Sequence, residues 1–234
     1  MRAPARLSDS VLQARRLFSA CMPIDGSLAE RYLASRGIVG VADLTALRFH
    51  TRCFYRDGAG SSVQYRPAMV VAVTDEAGEI CGVLRTFLAR DGRAKAHVAC
   101  PRKALGALSG NAVRFGGADD ILVIGEGIET VLSLRRVFPS VSYVAALSAQ
   151  HLRAFRMPKS LRRLYVAADR DDAGLSAATA LQQRACNGGI DVRLLLPMRK
   201  DFNDDLMIDG AEALASGVAQ QLAPPDRAAI SRRR

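Results

Sequence analysis

Hydrophobic and polar positions follow two different rhythms along this chain. In the first region apolar residues recur at helical spacing over about residues 10–20 and again over about 28–36, with Gly37 placed as the C′ residue that closes a helix. Strand-like runs follow. RPAMVVAVTD and EICGVLRTFL, separated by turn residues 76–78, predict an antiparallel hairpin. Residues 90–95 read as a basic, glycine-containing turn, and PRKALGALSGNAVRFGG as a loop-rich connector that ends at a boundary near Gly117.

Beyond that boundary short apolar runs alternate with amphipathic segments. ILVIGE, VSYVAAL, LRRLYVAAD and DVRLLLP are continuous apolar runs, and helical patterns cover about residues 130–137, 149–155 and 173–186. Strands buried on both faces and separated by helices imply a parallel sheet. A last helix over about 211–222 stops before Pro224 and Pro225, and the SRRR terminus reads as a disordered tail. The expected organisation is a basic α+β subdomain over 1–117, an α/β domain over 118–222 with a four-stranded, mainly parallel sheet and helices on both faces, and a basic tail over 223–234. The two domains are expected to share a cleft.

Composition narrows the function classes. The 234 residues are 49% hydrophobic, enough for a substantial core. No apolar run reaches bilayer length and MRAPARLSDS has no secretory pattern, so a soluble cytoplasmic protein is expected. The five cysteines are scattered and form no C-x-x-C pair, which argues against a disulfide framework and a structural zinc. The net charge is +10, and residues 1–119 carry 17 basic against 10 acidic side chains. That surplus suits a polyanionic partner, or else is only a basic surface.

The second region concentrates its acids where the apolar runs end. Glu126 follows the first run between two glycines, Asp169, Arg170, Asp171 and Asp172 follow the third, and KDFNDD (residues 200–205) follows the fourth. In a parallel sheet these carboxyl ends lie on one edge, where ligands bind. Like charges gathered there repel unless a cation neutralises them. Oxygen donors without histidine or cysteine favour magnesium over zinc, and magnesium suits phosphoryl transfer. Any one of these acids, Asp171 or Asp172 above all, is alternatively a helix N-cap and nothing more.

Taken together, ILVIGEGIETVLSL and YVAADRDDAG resemble the glutamate and D-x-D motifs of the Toprim domain shared by bacterial primases, type IA and type II topoisomerases, OLD-type nucleases and recombination mediators, over roughly residues 118–222. The resemblance implies that Glu126, Asp169 and Asp171 are catalytic and metal-binding, with Asp201 joining the magnesium (or manganese) ligands. QYRPAMVVAVTDEAGEICGVLRTFL and the lysine-bearing stretch at 103–106 resemble the part that precedes the Toprim domain in primases, which implies that Arg66, Arg85 and Lys103 contact template or nucleotide phosphate. IGEGIET and the KDFND segment are most similar to the Toprim primase-like proteins of plasmids, phages and integrative elements. That likeness implies a nucleotidyltransferase using nucleoside triphosphates and single-stranded DNA, with a helicase or a separate zinc-binding primase module as partner. In KDFNDD, Asn203 stands where primases commonly carry an aspartate, so the ligand role falls to Asp201 with Asp204 or is lost. A Toprim nuclease and a non-catalytic DNA-binding accessory protein are the alternatives.

Other signals carry less. His50, His97 and His151 have no metal spacing with one another, GAGSS and GALSGNA lack a phosphate-loop pattern, and the chain has no space for the gate domains that a tyrosine nucleophile of a topoisomerase needs.

Overall fold

The computed structural model describes residues 8–116 and 120–231. The chain divides into two compact units. One comprises Met1–Ser35 and Val41–Asn111, the other Arg36–Gly40 and Ala112–Arg234. The boundary expected near Gly117 and the residues 232–234 of the tail lie outside the described residues.

The first unit contains α1 (Asp9–Ser19), β1 (Met22–Pro23), α2 (Leu28–Ser35), β2 (Leu47–Tyr55), β3 (Gln64–Thr74), β4 (Ile80–Phe87) and β5 (Arg102–Gly106). Its sheet runs in the order β1-β2-β3-β4-β5 and is antiparallel throughout. The expected hairpin is β3 and β4, closed by a turn in which Asp75 Oδ1 accepts from the N–H groups of Ala77 and Glu79, each at 2.9 Å. Residues 68–73 are buried without alternation. Helices explain that loss of the period of two. The buried α1 stripe is Val11, Ala14 and Phe18, of which Ala14 and Phe18 join Ala68, Val70, Ala72, Val83 and Phe87 in one core, while α2 lies against β2 and β3.

Two strands of this unit correct the sequence reading. β2 had no assignment, because a bulge between His50 and Cys53 inserts exposed Thr51 and Arg52 into the strand and breaks its alternation. β5 falls in the stretch read as a loop-rich connector. It has little apolar character of its own and is a strand because β4 pairs with it, Arg85 opposite Lys103.

The second unit contains β6 (Val113–Phe115), β7 (Ile121–Gly125), α3 (Ile128–Val137), β8 (Ser142–Ala145), α4 (Ala149–Ala154), β9 (Arg163–Ala167), α5 (Asp172–Asn187), β10 (Asp191–Leu195), α6 (Phe202–Gln221) and α7 (Pro224–Ser231). The sheet order is β10-β9-β7-β8-β6. β7 to β10 are the four parallel strands expected, and β6 adds a fifth, antiparallel to β8, from the other end of the supposed connector. Both faces are covered. Leu122, Ile124, Val144, Leu164 and Val166 pack against Leu152 of α4 and Ala177, Ala178 and Leu181 of α5. Val123, Tyr143 and Tyr165 are fully buried on the other side, where Phe138 at the end of α3 meets the Tyr165 ring edge-on at 6.3 Å.

The end of the chain differs from expectation twice. α6 starts at Phe202 rather than near 211, because Phe202 and Leu206 bury one face of a turn that read as polar. Gly210 interrupts it with φ 81° and ψ 174°, a backbone open to glycine at little cost. The segment expected as a tail forms α7, whose prolines sit in a first turn that needs no N–H donors. Asp226 anchors it, accepting from Arg163 Nη1 at 2.9 Å and from the Tyr165 hydroxyl at 2.6 Å.

Candidate functional site

In the second unit the strand order reverses at β7, with β8 on one side and β9 on the other. The final register pair of β7 and β9 is Gly125 with Ala167, so the two strands end level. Glu126 is the next residue after the first, and Asp169 follows the second by two. The carboxyl ends of neighbouring strands at a switch point are where a parallel sheet leaves room for a ligand.

Each acid is positioned by a specific local structure. Asp171 is the N-cap of α5, its Oδ1 accepting from Gly174 N–H at 2.8 Å, and Asp201 is the N-cap of α6, accepting from Asp204 N–H at 2.8 Å. The two loops are tied together by Arg170 N–H, which donates to the Lys200 carbonyl at 2.7 Å. Gly174 is required by close approach, since a Cβ there would stand 2.7 Å from the Asp169 carbonyl oxygen. Capping therefore accounts for Asp171 and Asp201 in part. It does not account for Asp169, which caps neither helix.

Asp169 is where the electrostatics concentrate. Burial pushes its carboxyl from 3.8 to about 6, and the neighbouring charges of Asp201, Glu126 and Asp171 push in the same direction. The Thr130 hydroxyl, 3.4 Å from Asp169 Oδ1, acts weakly against them. The other three acids expected at this edge thus influence one carboxylate. They form an all-oxygen donor set, which suits a hard cation. Among the described residues no three such side chains are already gathered in ligating geometry. The set fits an ion that takes one or two carboxylates and keeps water on its other positions, as magnesium does.

The third motif resolves into architecture. Asn203 is buried, and its Nδ2 donates to the Arg36 carbonyl at 2.8 Å and to Ser133 Oγ at 3.0 Å, while its buried Oδ1 has no hydrogen-bond partner among the described residues. Asp205 is also buried and accepts from the N–H groups of Met198 (2.7 Å) and Arg199 (2.9 Å), closing the loop that presents Asp201. Neither role was read from the sequence. The available signal was the helical spacing of Phe202 and Leu206, which turns Asn203 and Asp205 inward with them.

In the first unit the structure brings Arg66, Arg85 and Lys103 together around a residue the sequence reading did not single out, Tyr55. Arg66 Cζ lies 5.6 Å and Lys103 Nζ 5.0 Å from the Tyr55 ring centroid, and Arg85 packs on Phe87, which itself meets Tyr55 edge-on at 4.8 Å. The three cations are not equivalent. Arg85 is only 5% exposed, and its guanidinium donates to the carbonyls of Lys103, Ala104 and Phe54 at 3.4, 3.2 and 3.5 Å. It braces the strands, whereas Arg66 and Lys103 are only half-buried.

Comparison with known proteins finds two family models along the chain. The Toprim domain family model matches residues 121–212, and a family model described as a domain of unknown function (DUF7146) matches residues 8–115. No curated protein sequence matches the chain. Among solved structures, a DNA primase domain from Pseudomonas aeruginosa is similar with a TM-score of 0.59 at 16% identity, over 91% of this chain and 78% of that one. The Aquifex aeolicus primase, comprising zinc-binding and RNA polymerase domains, gives 0.61 at 15% identity over 91% of this chain and 61% of that one. The RNA polymerase domain of the Mycobacterium tuberculosis primase gives 0.54 at 18% identity over 94% and 84%.

Proposed function

We propose that this chain, which carries a Toprim domain within the fold of a bacterial primase catalytic domain, is a magnesium-dependent nucleotidyltransferase that extends a 3′-hydroxyl with nucleoside triphosphates on a single-stranded DNA template. The observation that carries the reading is Asp169. A half-buried carboxylate crowded by three other acids at the ends of adjacent parallel strands is costly unless a cation relieves it. When bound, magnesium supplies charge neutralisation for the attacking oxygen and the leaving pyrophosphate.

The chain's own residues supply position and charge. Asp171 and Asp201 are held by helix N–H groups, so their carboxylates are fixed before substrate arrives. Glu126 extends the acidic edge from β7. In the other unit, Arg66 and Lys103 offer cations for phosphate oxygens of template or nucleotide, and Arg85 keeps the strands that carry them in register. The likeness of the IGEGIET and KDFND segments supports a place in replication or transfer of a mobile element, working with a helicase or a separate zinc-binding module.

Incubation with labelled nucleoside triphosphates and single-stranded DNA tests the reading. Oligonucleotide synthesis is expected with magnesium and none without it. Glu126→Gln and Asp169→Asn should each lower synthesis on the order of 10²-fold or more. Shortening of the DNA strand would identify a nuclease instead, and salt-sensitive binding without either reaction would identify an accessory protein.

A further inference from the structure

At one end of the first unit's sheet, two large aromatic side chains remain in solvent. Phe54 is 46% and Tyr65 60% exposed, and they are direct cross-strand partners on β2 and β3. Paired rings left this open to solvent offer a flat apolar surface to a ligand. Each also carries a guanidinium. Arg52 lies 5.3 Å from the Tyr65 ring centroid, placed there by the bulge that precedes Cys53, and Arg85 lies 4.8 Å from the Phe54 ring.

Charge says what such a pair would meet. Between residues 48 and 66 there are four arginines, Arg48, Arg52, Arg56 and Arg66, against a single acid, Asp57. The Asp57 carboxylate already accepts the hydroxyl of Tyr55. Aromatic faces among arginines match an unpaired nucleic acid strand, whose bases stack on the rings while its phosphates face the cations. The same strand β3 leads away from Tyr65 to Pro67, which lines a cleft of about 730 Å³ together with Thr51, Phe49, Leu28 and Arg90. Tyr65 and Pro67 share one side of β3 by alternation. The cleft is large enough for a base.

We infer that Phe54 and Tyr65 form a stacking platform for unpaired bases of single-stranded DNA, with Arg52 holding the strand over Tyr65. The inference rests on the reading of the chain as a protein that works on single-stranded DNA. It adds a site that reads bases as flat surfaces, distinct from the cations Arg66 and Lys103 that would read phosphate.

The sequence contains no tryptophan, so Tyr65→Trp in the full chain is a unique fluorescent probe at an exposed position. A short oligodeoxythymidylate should quench its emission, and an abasic sugar-phosphate strand of equal length should quench it far less. The double variant Phe54→Ala with Tyr65→Ala should bind oligodeoxythymidylate about tenfold or more weakly than wild type, with its salt dependence unchanged and its affinity for the abasic strand unchanged. Arg52→Ala should instead reduce the salt slope by about 1. Equal binding of oligodeoxythymidylate by the double variant and wild type overturns the platform and leaves the functional reading intact. An equal loss for both strands does the same, as does a shift of the Tyr65→Trp emission with protein concentration alone, which would mark an interface between chains. Failure of the wild-type protein to bind single-stranded DNA overturns both.

Discussion

The two units handle concentrated charge in opposite ways. In the first, Arg85 and Lys103 sit on strands and are satisfied where they stand: Arg85 by three carbonyls and two rings, Lys103 by the carbonyl of Arg56 and the face of Tyr55. In the second, the acids sit in the loops after strands, and Asp169 is held among like charges that push its proton affinity up. A folded chain at rest gains from the first arrangement and loses from the second. The basic cluster therefore serves stability. In the proposed function its half-buried edge also serves recognition, and the acidic cluster is tolerated because it holds a cation.

The sharpest way to break this contrast is to remove the best-satisfied cation. Arg85→Ala leaves carbonyls without that donor and space beside Phe54 and Phe87, so a loss of about 2–3 kcal/mol is expected. Arg66→Ala and Lys103→Ala, which are only half-buried, should cost about 1 kcal/mol or less. Urea denaturation midpoints measure both. If Arg85→Ala is as mild as Lys103→Ala, the guanidinium is not the brace described and its role is open to ligand contact.

The converse experiment acts on the acids. Because the Asp169 carboxyl is raised from 3.8 to about 6, its neutral form is favoured by folding. That contribution is fully present below about 3.8 and is lost as pH rises through about 6. Without metal, Asp169→Asn should therefore be more stable than wild type at pH 8, on the order of 1–2 kcal/mol after solvent screening. The difference should close as the pH falls towards 4. Thermal melts across this range in a chelating buffer decide it, and a mutant that melts lower than wild type at pH 8 would make Asp169 a structural acid.

The contrast also explains which parts could be read in advance. ILVIGE, VSYVAAL, LRRLYVAAD and DVRLLLP announced strands because burial on both faces leaves continuous apolar runs, and the acids that follow them came with the strands. Topology alone brings Glu126 beside Asp169, and an alternation of strands and helices is enough to suggest that topology. The basic cluster had no such local signal. Tyr55, Arg66, Arg85 and Lys103 come from four strands whose register is set by one another, and the bulge after His50 hid the strand that carries Tyr55. Asn203 and Asp205 were legible only as polar residues in an acidic run. Their burial depends on α6 beginning at Phe202, and Gly210 obscures that by dividing the helical pattern in two.

The smallest effect asked of the comparison separates the two roles of one residue. Asp171 caps α5 and also contributes charge to the acidic edge. Asparagine is as good an N-cap as aspartate, whereas alanine is a poor one. In the absence of metal, Asp171→Ala should cost about 1 kcal/mol, and Asp171→Asn should melt within a few tenths of a kcal/mol of wild type. Added magnesium then reads the charge. Ligand binding to the folded state raises the melting temperature in proportion to affinity, so wild type should gain more from magnesium than Asp171→Asn. A matching gain in the two proteins would leave Asp171 as a cap alone and confine the metal-holding acids to Glu126, Asp169 and Asp201. An Asp171→Asn protein that melts as low as Asp171→Ala without metal would show instead that α5 needs a negative charge at its N-terminus, through the helix dipole, rather than a hydrogen-bond acceptor.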